Sequence, residues 1–145
     1  MASKSQKIRT RTESRKRRRQ DAIEPFALPL SAFQIDAGSN THNTVPFTAS
    51  QSKRLLIEFI TVNARIPKGQ RLIGSIFTTT GKAFFGHQLN LSQVTFSEFD
   101  TLFVASQLVM VYVDPGATIN FEFKRSSSSG LSTINVTFSG RFLRP

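Results

Sequence analysis

The chain has no cysteine, which excludes a disulfide framework, a thiolate metal site and a thiol nucleophile. Its apolar runs, such as Leu108 to Val113, stop far short of the ~20 residues that a membrane-spanning helix needs, so no membrane span is expected. No secretory leader is expected either: the basic start has no apolar stretch behind it, because Phe26 to Phe33 is short and broken by Pro29. A mitochondrial presequence would need an apolar helix face, and Ile8 is the one large apolar residue between Met1 and Ile23. Scarcest of all is acid near the N-terminus, where Glu13 alone stands among Lys4, Lys7, Arg9, Arg11, Arg15, Lys16, Arg17, Arg18 and Arg19.

Those nine bases and one acid give residues 1–20 a net charge of +8, while the remaining ten bases and eight acids give +2, together the +10 of the whole chain. The basicity belongs to a segment and not to the protein at large. A segment with so little to bury and so much like charge is expected to be disordered alone and to order against a polyanion. Thr10-Arg11-Thr12-Glu13 has capping-box chemistry, so a short helix from about Arg11 to Ala22 is expected once an anion offsets the repulsion among Arg11, Arg15, Arg18 and Arg19. It should end before Glu24-Pro25, since a residue preceding proline avoids helical angles. Five consecutive bases at Arg15 to Arg19 point to nucleic acid, with nuclear import and a plain solvated tail as the other readings. The nine basic residues named above are the expected nucleic-acid-binding set, and residues 1–24 the arm that carries them.

Residues 25–145 have another character. All fourteen phenylalanines lie at or after Phe26, and apolar and polar residues alternate at period two. Ile134, Val136, Phe138 and Phe142 oppose Asn135, Thr137, Ser139 and Arg141 within Ser132 to Leu143; Ile119, Phe121 and Phe123 oppose Asn120, Glu122 and Lys124. That period is the mark of strands buried on one face. Further strands are expected at Phe26 to Ile35, Thr44 to Thr48, Arg54 to Asn63, Arg71 to Thr79, Ala83 to Leu91 and Leu102 to Val113. About eight strands without a competing amphipathic helix predict an all-β fold, a two-sheet antiparallel sandwich, plain or jelly-roll-like. Pro67 in Ile66-Pro67-Lys68-Gly69 is expected at the second position of a turn, Asp114-Pro115-Gly116 has Pro and Gly where a type II turn wants them, and both are expected at hairpin tips. Asp36 to Asn43 and Ser126 to Gly130 read as polar loops, the first long enough to cross between sheets.

Catalytic chemistry is not legible here. His42 and His87 lack metal-ligand spacing and are expected to be structural. No serine sits in a Gly-x-Ser-x-Gly elbow. Thr80-Gly81-Lys82 has the end of a phosphate loop without its earlier glycine, so it reads as a turn. Asp36, Glu98, Asp100 and Asp114 are expected in loops, where pairs of them are conceivable calcium ligands but solvated acids are the ordinary case. Asn90-Leu91-Ser92 and Asn135-Val136-Thr137 match the glycosylation triplet by expected coincidence. No enzyme activity, cofactor or metal is expected. Most phenylalanines fall on the buried side of the strands; Phe84-Phe85 and Phe96, Phe99 and Phe103 do not follow the pattern and are candidates either for a loop packed under the sheet or for a patch covered by a neighbouring subunit.

A strongly basic arm joined through Glu24-Pro25 to one all-β body resembles the coat proteins of small icosahedral viruses, especially satellite-type RNA viruses. The resemblance lies in layout. It implies a jelly-roll body that self-assembles into a closed shell, and an arm, Lys4 to Arg19, that binds packaged RNA or another single-stranded nucleic acid. A virion is then the implied location. The body is also similar to small bacterial β-sandwich domains, through the plan of Leu108 to Phe142: strand, Asp-Pro-Gly turn, strand, serine-rich loop, strand. That likeness implies a non-viral module for a surface or a glycan, intracellular or nuclear, with the arm as an addition.

Overall fold

The computed structural model describes residues 24–29, 33–43, 47–81, 83–95 and 97–143. Among the described residues there is no helix; eleven strands make two antiparallel sheets. In chain order they are β1 (Glu24–Pro29), β2 (Phe33–Ile35), β3 (Thr41–Asn43), β4 (Phe47–Thr48), β5 (Arg54–Pro67), β6 (Leu72–Thr80), β7 (Ala83–Leu89), β8 (Ser92–Thr95), β9 (Asp100–Val113), β10 (Thr118–Arg125) and β11 (Ser132–Leu143). The first sheet runs β1-β11-β5-β9-β8, with β2 also on β11; the second runs β3-β10-β6-β7, with β4 also on β10.

The pairing is nested. From the chain's outer parts inward, β1 and β2 pair with β11, β3 and β4 with β10, β5 with β9, and β6 with β7. Successive pairs fall alternately in the first and the second sheet. A long two-stranded ribbon wound in this way is a jelly roll, and the sequence expectation of that fold holds.

Period-two patterning builds the core. Ile119, Phe121 and Phe123 of β10 and Ile134, Val136 and Phe138 of β11 are buried as expected, in one core with Ile60, Val62, Ala64 and Ile66 of β5 and Phe103, Ala105 and Val109 of β9. Phe26, Phe47, Phe121, Phe138 and Phe142 meet with ring centroids 5.0–5.9 Å apart, tying the short strands β1 and β4 to the long ones. Such pairs contribute about 0.5–1.5 kcal/mol each beyond the area they bury. In β5 the buried set changes parity, from Leu55 and Ile57 to Ile60 and Val62. The cause is a shift of register around Glu58, between Ser139 and Gly140 on one side and between Ile57 and Phe59 on the other.

Several expectations are corrected. Phe26 to Ile35 is two strands, and Thr41–Asn43, read as loop because Thr-His-Asn has no apolar residue, is a strand held by β10. Thr44 to Thr48 reduces to β4, with 44–46 outside the described residues. Ser92–Thr95 was no part of the expected set and pairs with β9. The two proline turns are not hairpin tips: β5 and β6, and likewise β9 and β10, lie in different sheets, so each turn is an arch over the end of the sandwich. At Asp114-Pro115-Gly116 the turn is the expected one, with Ala117 N–H on the Asp114 carbonyl at 3.0 Å and Gly116 at φ 74°. At the other, Gln70 N–H meets the Pro67 carbonyl at 3.3 Å and Gly69 has φ 81°, so Pro67 opens the turn instead of sitting second in it. Gly81, at φ 64°, turns the β6–β7 hairpin, the role given to Thr80-Gly81-Lys82; Lys82 lies outside the described residues.

Candidate functional site

Lys4, Lys7, Arg9, Arg11, Arg15, Lys16, Arg17, Arg18 and Arg19, with the helix expected at Arg11 to Ala22, lie outside the described residues. The root of that segment is described. Glu24 opens β1 opposite Phe142, at the end of the sandwich that also carries Arg54, paired with Leu143, and Asp114, which bonds Gly81 N–H. The arches at 114–117 and the β6–β7 turn are at this end; the loops at 36–40, 67–71 and 126–131 are at the other.

Four of the body's cations are paired with acid. Lys53 pairs with Glu24, Arg54 with Asp114 at 2.9 Å, Arg65 with Asp100 at 2.5 Å and Arg141 with Glu58 at 3.1 Å. Exposed pairs of this kind add little stability. Their effect is on the field: four cations are neutralised. Lys68, Arg71 and Lys124 meet no carboxylate among the described residues, and they sit at or near the end remote from Glu24.

Arg125 is different. It continues the buried parity of Ile119, Phe121 and Phe123 and is 1% exposed, with no carboxylate partner among the described residues. Its guanidinium donates instead to the carbonyls of Ser39 (Nη2 at 2.7 Å, Nε at 3.0 Å), Asp36 (2.9 Å), Ser128 (3.2 Å) and Ser129 (3.1 Å), and to Ser132 Oγ (2.9 Å). Desolvation holds its pKa below the ordinary arginine value. Arginine nevertheless keeps its proton in proteins, so the group acts as a buried cation solvated by backbone. The Asp36–Asn40 and Ser126–Gly130 loops are pinned together by it, and Gly38 N–H on the Ser128 carbonyl at 2.7 Å closes the same junction.

The residues weighed for chemistry are dispersed. His42 stacks on Phe33, with ring centroids 4.9 Å apart, and His87 accepts at Nε2 from the Gln107 amide at 3.3 Å. Asp100 heads β9 rather than lying in a loop, and it and Asp114 are taken by arginines; Asp36 offers its carbonyl to Arg125. No group of three or more histidines and acids able to hold a metal forms among the described residues. Asn90 and Asn135 are exposed.

The irregular phenylalanines separate. Phe103 is core, at 5% exposure, because it follows the inward parity of β9; Phe99 is in the β8–β9 connection and 76% exposed; Phe96 lies outside the described residues. Phe99 and Phe103 therefore share no exposed patch. Phe84 stacks on Phe77 on the outer side of the second sheet, and Phe85 borders a cleft of about 310 Å³ with Ile76, Thr78, His87, Met110 and Tyr112. That cleft lies between β7 and the C-terminal half of β9, and sequence reading missed it. Its one advance signal was Leu108 to Val113, where outward positions are as apolar as inward ones. No protein-family model, curated protein or solved structure matches the chain.

Proposed function

We propose that the chain is a coat-type structural subunit: its jelly-roll body self-assembles, and its Arg/Lys-rich segment binds RNA or single-stranded nucleic acid. The fold alone does not choose this reading, since jelly rolls serve capsids and lectins alike. What supports it is the segregation of charge, +8 in residues 1–20 against +2 in all the rest. The ion pairs of Lys53, Arg54, Arg65 and Arg141 reinforce the contrast by neutralising four of the body's cations. Lys and Arg without a reading frame for base edges contact phosphates, so binding should be largely indifferent to sequence. Segments of like charge gathered in one interior repel, and screening reaches only about 10 Å at 0.1 M salt, so RNA should promote assembly.

The salt dependence of binding to single-stranded RNA tests this. With eight net charges engaged, log K should fall against log salt with a slope of about −5 to −6, and changing Arg15 to Arg19 to alanine should reduce the slope to about −2. Light scattering during RNA titration should show large particles for the parent and few for the variant. An unchanged slope in the variant removes the arm from the binding site; an absence of particles at every RNA ratio and salt removes the coat reading.

A further inference from the structure

We propose that the free side of β9 from Leu108 to Tyr112 is where one copy of this chain pairs with another, edge to edge and antiparallel, extending the first sheet. The inference rests on the self-assembly proposed above and names its contact. β8 covers this side of β9 only from Thr101 to Val104, and among the described residues no strand takes over beyond it. The second sheet, by contrast, continues to β7. Phe85 and His87 hold inward positions there, opposite the buried Thr78 and Ile76, yet they open onto the cleft instead of onto a facing strand. The cleft is bounded along β9 by the Gln107 bridge to His87 and Asn90 and by the Thr80 hydroxyl on the Tyr112 carbonyl at 2.6 Å. The open stretch between is the length of a short strand.

Its surface is apolar. Leu108 is 84% exposed, Met110 70% and Tyr112 41%, alternating with buried Val109 and Val113, and Phe85 is 54% exposed across the cleft. At roughly 200 Å² per large side chain, these four expose on the order of 500 Å², a large share of the ~800 Å² each partner gives to a standard interface.

The occupant follows from charge. Residues 101–113 and 83–89 contain no Asp, Glu, Lys or Arg. A polyanion gains no Coulombic attraction here, and the arm would have to desolvate its bases against apolar side chains. A second copy of β9 brings the same uncharged, apolar, unpaired edge. A two-fold axis near Leu108 to Met110 sets the two strands antiparallel with every contact made twice.

The full-length chain should be examined by sedimentation at high salt without nucleic acid, where arm repulsion is screened. The parent is expected to associate, and the L108K/M110K double variant, altered only at exposed positions, to associate at least tenfold more weakly with an unchanged melting curve. Because the chain lacks cysteine, single Ser106→Cys, Leu108→Cys and Met110→Cys variants report the axis: one should oxidise to a disulfide dimer, while Asn135→Cys on β11 should not. Tyr112 is the sole tyrosine and there is no tryptophan, so acrylamide quenching of its emission should fall as association proceeds. A double variant that associates like its parent overturns the edge contact and leaves self-assembly standing. A parent monomeric at every concentration and salt overturns self-assembly, and the edge contact with it. A monomer whose Tyr112 is already shielded shows that another part of the same chain occupies the edge, which also overturns the proposal.

Discussion

Changing Arg125 to methionine is expected to destabilise the body by about 3–5 kcal/mol, because the buried carbonyls it leaves without donors cost about 1–3 kcal/mol each before water recovers part of the loss. Methionine keeps much of the volume, so the effect isolates the hydrogen bonds from the packing. The carbonyls of Asp36, Ser39, Ser128 and Ser129 belong to two loops that otherwise meet mainly through Gly38 and Ser128. Lysine is expected to recover only part of the loss: it keeps the charge but offers three donors from one point, and cannot span acceptors that the planar guanidinium reaches from three nitrogens. Against a total stability of about 5–15 kcal/mol for a domain of ordinary size, that loss is a large fraction of the whole and should lower the unfolding midpoint markedly. Urea denaturation followed by circular dichroism measures the loss, and hydrogen exchange at Gly38 N–H locates it. A methionine variant within 1 kcal/mol of the parent would mean that water replaces the guanidinium at little cost.

Arg125 also marks where sequence reading reached its limit. The alternation that identified Ile119, Phe121 and Phe123 as inward extends by parity to residue 125, but a charged residue at the end of a strand reads as solvated. Only the folded chain shows five acceptors from two loops and β11 converging on it. Similar reasons separate the other successes and failures. β11 was legible as a strand because Ile134, Val136, Phe138 and Phe142 on one face oppose Asn135, Thr137, Ser139 and Arg141 on the other. β3 was not, because its strand character comes from hydrogen bonds that β10 supplies, with no apolar residue of its own. The proline turns were recognised as turns but not as arches, since turn chemistry is local and the choice of sheet is set by pairings some fifty residues away. The cleft beside Phe85 was not legible, because it depends on β8 ending short of the C-terminal half of β9.

Gly140 is the position where one added carbon should cost most. A Cβ there would lie 1.9 Å from the Leu56 carbonyl oxygen, 2.9 Å from its carbon and 3.0 Å from Ile57 Cα. The register shift around Glu58 is the source of this closeness: β5 spends one residue more than β11 between Phe59 and Ile57, and its backbone bows toward Gly140. Gly140 has no positive φ, so alanine meets a steric obstacle and not a forbidden dihedral. Main chain held by ladders on both sides cannot yield as a side-chain tip can. Gly140→Ala is therefore expected to destabilise by about 3 kcal/mol or more, at the upper end of overpacking costs. Gly81→Ala is the fitting comparison, because Gly81 has open space around it but a φ of 64°, and its cost should be about 1 kcal/mol. If the strands instead accommodate the methyl group, they can do so by moving the bulge along β5. That would carry Leu55 and Ile57 out of the core and show as a changed denaturant slope as well as a lower midpoint. Equal costs at the two glycines would refute the account of Gly140, since nothing but the approach of Leu56 distinguishes it from an ordinary strand position.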